Sequence, residues 1–322
     1  MKIAIVGFGN VGQSFLDMLL SKKEFLEKRI GKIEISFIAD SKSSVSGDFD
    51  PLEALRMKRT KGRLRDDKKA KNCLKELEFD VLVECSTTKI NGGEAVEHML
   101  IAIEKGANVV TSNKGIAFYF DELMKLAERK NVKLMYEATV GAAIPIIRVL
   151  RTYFSTFTIK KIAGILNGTC NYILSRMEEE GLSYEQVLAE AKELGIAETD
   201  PSYDVDGIDA AIKLVILANT IGIRSKFEDV KRKGISWITP EAFKIAAEKG
   251  YTIRLIAEAS KELIVEPRLV KFGHPLALKG TINTILVYTE EAGTFSFAGR
   301  GAGKYETAAA MISDLVAIYD DR

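Results

Sequence analysis

Apolar-rich runs alternate with helix-period segments through the first part of the chain. Residues 3–6, 33–39, 79–85, 108–111 and 133–136 carry short apolar stretches that predict strands. Between several of them, residues 11–20, 95–105 and 121–129 repeat their apolar positions at helical spacing. Near-continuous apolar strands alternating with helices predict an α/β domain built on a doubly wound parallel sheet, spanning residues 1–136. After Ile144 the rhythm changes. A strand is predicted over 158–166, helices over 172–180, 184–194, 207–221 and 240–249, and strands over 251–259, 263–270 and 282–289. Helices followed by a series of strands predict a second, α+β domain over 137–300. The segment 301–322 ends in a helix pattern over 305–319 and reads as a closing helix that returns to the first domain.

The turn after the first strand reads Gly7-Phe8-Gly9-Asn10-Val11-Gly12. A glycine triplet of this spacing, between a strand and a helix, makes a tight turn, lets backbone amides approach a pyrophosphate, and packs helix on sheet. Glycine-rich turns alone are common, but the strand–turn–helix setting predicts a bound nicotinamide dinucleotide. Asp40 ends the second strand, where an acid takes ribose hydroxyls and favours NAD(H). It lies 28 positions after Gly12, and the insertion around residues 22–32 accounts for the added length. The loop beyond it carries Lys42, Arg56, Lys58, Arg59 and Lys61, any of which can neutralise the 2′-phosphate of NADP(H) or serve as a solvated cationic face.

A length of 322 residues suits two hydrophobic cores, and 28% charged residues is an ordinary globular value. Lys and Arg (46) nearly cancel Asp and Glu (45), so no positive field is present to hold nucleic acid or an anionic membrane. No apolar run approaches the roughly 18 residues of a membrane span, and the N-terminal residues show no cationic leader. Cys73, Cys85 and Cys170 are odd in number and widely spaced, which predicts reduced core thiols and a cytoplasmic protein.

Lys213 is the single polar residue in Ala-Ala-Ile-Lys-Leu-Val-Ile-Leu-Ala, residues 210–218. A helix apolar on every side is buried, and a buried ammonium is unfavourable unless it is paired. Asp209 stands one turn before it, and Glu198, Asp200, Asp204 and Asp206 precede that. The bland alternative makes Asp206 an N-cap, Asp209 its capping-box partner and Lys213 a weak ion-pair member. That alternative does not explain a lysine among apolar neighbours, and a proton-transfer role is favoured. Lys114, in Thr-Ser-Asn-Lys-Gly, follows the strand at 108–111, at the end of the sheet where ligands bind.

Taken in order, these segments resemble homoserine dehydrogenase. The resemblance rests on the turn at 7–12, Thr-Ser-Asn-Lys (111–114), Glu-Ala-Thr-Val-Gly-Ala-Ala-Ile-Pro (137–145) and Leu-Asn-Gly-Thr-Cys-Asn-Tyr-Ile-Leu (166–174). It continues through the run at 197–213 and Gly-Arg-Gly-Ala-Gly (299–303), and so covers essentially the whole chain. It implies NADPH- or NADH-dependent reduction of L-aspartate 4-semialdehyde to L-homoserine, within threonine, methionine and isoleucine synthesis. It implies Lys213 and Lys114 as catalytic residues, with Gly168, Thr169, Glu198, Asp204 and Asp209 binding the substrate. The cofactor contacts implied are Gly7, Phe8, Gly9, Asn10, Val11, Gly12, Asp40, Lys58, Ser86, Thr87, Ser112, Lys114 and Gly303; Lys58 tips the expectation toward NADP(H). Glu137 with Val140, Ala142 and Ile144 resembles a sodium site, and oxygen donors without cysteine or histidine suit a hard cation. A homodimer formed through the second domain is implied as well. There are departures: Ile196 stands where tyrosine is usual, and Ala143 replaces a frequent glycine. With no regulatory domain after Arg322, feedback inhibition by threonine through such a domain is not expected.

Two other classes remain open on the residues alone. One is another amino-acid-pathway dehydrogenase, such as aspartate dehydrogenase or dihydrodipicolinate reductase, which does not require Asp209 and Lys213 on one helix. The other is a sensor that binds the dinucleotide without turnover and has no need of Lys213.

Overall fold

In the computed structural model, which describes residues 1–319, the chain divides into two compact units. One comprises Met1–Ala143 with the described residues from Gly303 on, the other Ile144–Ala302. The strands of the first unit are β1 (Lys2–Val6), β2 (Glu34–Ala39), β3 (Ser44–Ser46), β4 (Val81–Glu84), β5 (Asn108–Thr111) and β6 (Leu134–Met135). Among the described residues they form one sheet in the order β3-β2-β1-β4-β5-β6. All neighbours are parallel except β3, which folds back antiparallel along the edge of β2. The predicted parallel sheet is therefore present, with an antiparallel edge strand too short for its pattern to register.

One large hydrophobic core packs against this sheet. Ile3, Ile5, Val81, Val83 and Val110 pack with Phe15, Leu16 and Leu19 of the helix Asn10–Ser21. The helix Lys304–Tyr319 adds Ala308, Met311, Ile312 and Leu315 to the same core. Burying side chains such as Met311 and Leu315 contributes about 1.5–3 kcal/mol each, which ties the end of the chain to the first sheet.

The second unit holds β7 (Ile159–Ile165), β8 (Val230–Arg232), β9 (Tyr251–Ala259), β10 (Leu263–Lys271), β11 (Ile282–Thr289) and β12 (Thr294–Arg300). Among the described residues their order is β12-β11-β7-β9-β10-β8, antiparallel except for β10 with β8. β12 escaped the sequence reading because Thr-Phe-Ser-Phe-Ala-Gly-Arg runs into a glycine-rich loop, yet it alternates its faces along a sheet edge. The helix Ile208–Thr220 is buried at every position from Asp209 to Ala218, as its uninterrupted apolar pattern requires. It does not start on Asp206. Gly207, with φ 75°, is its N-cap, and Asp206 closes the preceding short helix, so the capping part of the bland alternative fails while its Asp209–Lys213 ion pair is present. No helix among the described residues is long and apolar enough to cross a membrane.

Candidate active site

The dinucleotide turn shows why its outer glycines are glycines. Gly7 has φ 94°, and a Cβ there would sit 2.1 Å from the amide nitrogen of Ser86. A Cβ on Gly12 would lie 2.5 Å from the Gly7 carbonyl oxygen. Nothing of the protein lies within 4 Å of a Cβ on Gly9, so that position is small for something other than the protein's own packing. The following helix has no side-chain cap and no acidic residue in its first turn, which leaves its N-terminal dipole and amides to an anion.

At the end of β2, Asp40 and Lys58 meet directly. Lys58 Nζ lies 2.6 Å from Asp40 Oδ2 and donates to the Gly62 carbonyl at 2.7 Å. Asp40 also accepts from the amides of Lys42 and Ser43 and from the Ser43 hydroxyl. Burial alone would raise the Asp40 carboxyl, but the Lys58 ammonium and these donors hold it below the usual aspartate range.

The turns after β4 and β5 lie side by side, as the pairing of those strands requires. Ser86 is half-buried and Thr87 exposed; Ser112 donates its amide to the Glu84 carbonyl at 3.0 Å. Asn113 caps the short helix that begins at Lys114, and the Lys114 amide donates to Thr88 Oγ1 at 3.1 Å. Gly303, with φ 136°, accepts from Thr307 as the last helix begins.

Glu137 is buried, and its amide donates to Asp314 Oδ2 at 2.9 Å. Gly141 and Ala142 are left-handed in succession, at φ 73° and 47°, whereas Ala143 is not, so its side chain adds no backbone strain. Val140 and Ala142 are buried, and the Ile144 carbonyl accepts from the Ile146 amide at 2.7 Å. Among the described residues no group of three or more His, Cys, Asp or Glu is placed to hold a metal, so a cation in this loop would depend on carbonyl oxygens.

In the second unit, Lys213 is 8% exposed. Its Nζ lies 2.8 Å from Asp209 Oδ2 and donates to the Leu166 carbonyl at 2.7 Å. Asn167 extends the cluster, its Nδ2 donating to Asp204 Oδ1 at 2.6 Å and to Asp209 Oδ2 at 2.9 Å. The same Asn167 caps the helix Gly168–Glu180 through the Cys170 amide. Burial, reinforced by the charge of Asp209, raises the Asp204 carboxyl above the usual range despite the Asn167 hydrogen bond. Thr169 donates to the Ile196 carbonyl at 3.1 Å, so Ile196 contributes through its main chain.

Of the acidic run before the helix, Asp204 and Asp209 are gathered at Lys213. Glu198, Asp200 and Asp206 are exposed, and Asp200 accepts from the Ser202 amide in its own turn. Sequence reasoning missed Asn167, Leu166 and Asn283. Asn283 is 1% exposed; its Nδ2 donates to the Leu166 carbonyl at 3.1 Å while its Oδ1 has no hydrogen-bond partner among the described residues. The only advance signal was that Leu166 and Asn167 fall in a motif carried by the resemblance.

Comparison with known proteins bears on the whole chain. Residues 7–137 match the family model described as homoserine dehydrogenase, NAD binding domain, and residues 145–316 match the model described as homoserine dehydrogenase. A homoserine dehydrogenase of Methanocaldococcus jannaschii is 42% identical over 99% of both chains. A crystal structure of a candidate homoserine dehydrogenase from Archaeoglobus fulgidus superposes with a TM-score of 0.96 at 57% identity, covering 99% of each chain. A hyperthermophilic archaeal homoserine dehydrogenase in complex with NADPH superposes with a TM-score of 0.86 at 33% identity, covering 98% of this chain and 97% of that one. With matches of this extent over both units, the chain belongs to the homoserine dehydrogenase family of NAD(P)-dependent oxidoreductases.

Proposed function

We propose that Lys213 is the proton donor in the reduction of L-aspartate 4-semialdehyde to L-homoserine and the proton acceptor in the reverse direction. One observation carries this reading. Two of the three N–H bonds of the Lys213 ammonium are held, by Asp209 and by the Leu166 carbonyl, and the third is left for a ligand. Bound NAD(P)H supplies the hydride. As the aldehyde carbon accepts it, the oxygen gains negative charge, which the third N–H stabilises before its proton passes to the oxygen and completes the alcohol. Asp209 and Leu166 fix the ammonium so that little reorganisation is needed.

The substrate keeps an ammonium and a carboxylate throughout. Asp204, Asp209 and Glu198 answer the first, and Gly168 and Thr169, at the N-terminus of their helix, answer the second. Lys114 is the second catalytic residue, and Gly7 to Gly12, Ser86, Thr87, Ser112 and Gly303 contact the cofactor. Lys58 meets the 2′-phosphate, which makes NADP(H) the favoured cofactor, with Asp40 on the ribose hydroxyls when NAD(H) binds. The first unit takes the cofactor and the second, Ile144–Ala302, takes the substrate and carries a homodimer contact, and the free thiols suit the cytoplasm. Glu137 with the carbonyls of Val140, Ala142 and Ile144 suits sodium, which would rigidify that loop. Melting in sodium chloride against choline chloride at equal ionic strength tests it, and no difference removes the metal.

The experiment that tests the whole reading is a steady-state assay of homoserine oxidation with NADP and with NAD, with aspartate as the control substrate. Turnover of homoserine with aspartate inert is expected, and turnover of aspartate instead would overturn it.

A further inference from the structure

Glu84, at the end of β4, is fully buried, and the chemistry above makes no use of it. Its two oxygens serve different neighbours. Oε2 lies 2.8 Å from Nδ1 of His98, itself buried, on the helix Gly93–Glu104. Oε1 accepts from the Ser86 amide at 2.9 Å and from the Ser86 hydroxyl. A carboxylate only accepts, so His98 carries its proton on Nδ1 and the Ser86 hydroxyl proton is committed to Glu84. The remaining lone pairs of Ser86 Oγ are thereby reserved for a donor.

The network continues toward Lys114. Asn113 Nδ2 donates to the Ser86 carbonyl at 2.9 Å and approaches Ser86 Oγ at 3.4 Å, while its Oδ1 accepts from the Gly115 amide at 2.8 Å. Thr111 Oγ1 donates to the Glu84 carbonyl at 3.0 Å and accepts from the Asn113 amide at 2.9 Å. The turn after β4 and the turn bearing Lys114 are thus locked to one buried carboxylate, whose second oxygen is met by His98 among the described residues.

We propose that Glu84 and His98 form a positioning pair for the reaction. The pair presents Ser86 Oγ as an acceptor for a hydroxyl of the cofactor's nicotinamide ribose, and it holds the Lys114 turn in place through Asn113. This rests on the reading of Ser86 as a cofactor contact and Lys114 as catalytic. Neither Glu84 nor His98 touches the reacting atoms. Without the His98 donor, a fully buried carboxylate oxygen is unsatisfied, and the carboxylate turns to find another donor. That movement removes the constraint on the Ser86 hydroxyl.

The test compares His98→Leu with His98→Asn, whose amide N–H stands on Cγ as Nδ1 does, alone and combined with Ser86→Ala and Lys114→Ala. His98→Leu is expected to raise the NADPH Kd and lower kcat by about tenfold each, the effect of one or two lost hydrogen bonds, with the homoserine KM moving much less. His98→Asn restores most of both. The Kd effect vanishes on Ser86→Ala and the kcat effect vanishes on Lys114→Ala, because the downstream group is already gone. A lowered Tm with unchanged Kd and kcat, or losses that multiply in full on both backgrounds, would overturn the proposal. If Lys114→Ala alone leaves kcat intact, the catalytic reading of Lys114 has failed, and the Ser86→Ala arm still decides the role of the pair. Should His98→Leu not fold, Glu84→Gln, which keeps the volume and loses the charge, is read the same way.

Discussion

Replacing Lys213 by methionine removes one ammonium from a site where its partners are all known. The lost N–H both stabilises the developing alkoxide and supplies the proton. Positioned acids contribute about 10²–10⁴ in rate, and a single donor to a developing oxyanion about 10²–10³. One group does both, so the effects do not multiply, and a fall in kcat of about 10³–10⁴ is expected within those ranges. NADPH affinity should hold, since the glycine turn and the Asp40–Lys58 pair lie in the other unit. Stability should not. Asp209 is 4% exposed and would lose its counter-charge, at a cost of about 3 kcal/mol, the low end for a broken buried pair, because Asn167 still donates to it. Adding Asp209→Leu, which leaves no orphaned charge, should recover much of the melting temperature and none of the turnover. Steady-state homoserine oxidation, NADPH fluorescence titration and thermal melting measure the three quantities. A Lys213→Met protein that keeps a tenth of the wild-type kcat, or a double variant that regains activity, refutes the assignment.

Lys58→Ala should raise the KM for NADPH by about 10- to 100-fold, the worth of a charge-assisted hydrogen bond, and that for NADH much less; equal losses take Lys58 off the 2′-phosphate. Asp204, whose carboxyl is raised chiefly by burial and further by Asp209, protonates as the pH falls while an ordinary aspartate is still ionised. Its hold on the substrate ammonium is lost there, so kcat/KM for homoserine should show an acid limb that Asp204→Asn abolishes; a limb that survives the substitution belongs to another group. Asn283→Leu removes the second donor to the Leu166 carbonyl and should slow turnover several-fold, about 1 kcal/mol of positioning, without changing NADPH affinity. Gly301→Ala, whose Cβ would lie 2.0 Å from the Asn283 amide, should reproduce that phenotype in a kinetic assay, and a silent Gly301→Ala would argue against it.

The parts of the fold and site legible in the sequence are those in which one segment states its own burial. The glycine turn needs only a strand before it and a helix after it, and Lys213 is conspicuous because its neighbours on every side are apolar. β3 and β8 were not legible because three residues are too few for alternation to show, and β12 because none of its residues is buried and it runs into a glycine-rich loop. The acidic run misled for a related reason. Asp200 and Asp206 adjoin Asp204 in sequence, yet they are exposed and take no part in the cluster at Lys213. Which carboxylates turn inward is decided by Asn167, a residue 37 positions before Asp204 and 42 before Asp209.

That choice of residue has a consequence for the chemistry. Asp204 and Asp209 are close enough for their charges to oppose one another, and a second lysine would have neutralised them. An asparagine amide instead donates to both carboxylates and adds no charge. Two carboxylates facing one ammonium leave the cluster with a net negative charge, which matches the single ammonium of an amino-acid substrate. With arginine in place of Asn167 the cluster would be neutral and the substrate's ammonium would meet no compensating charge. A neutral bridge therefore keeps the carboxylates together while leaving their surplus charge for the ligand, and it is the kind of residue that hydrophobic periodicity and charge counting both overlook.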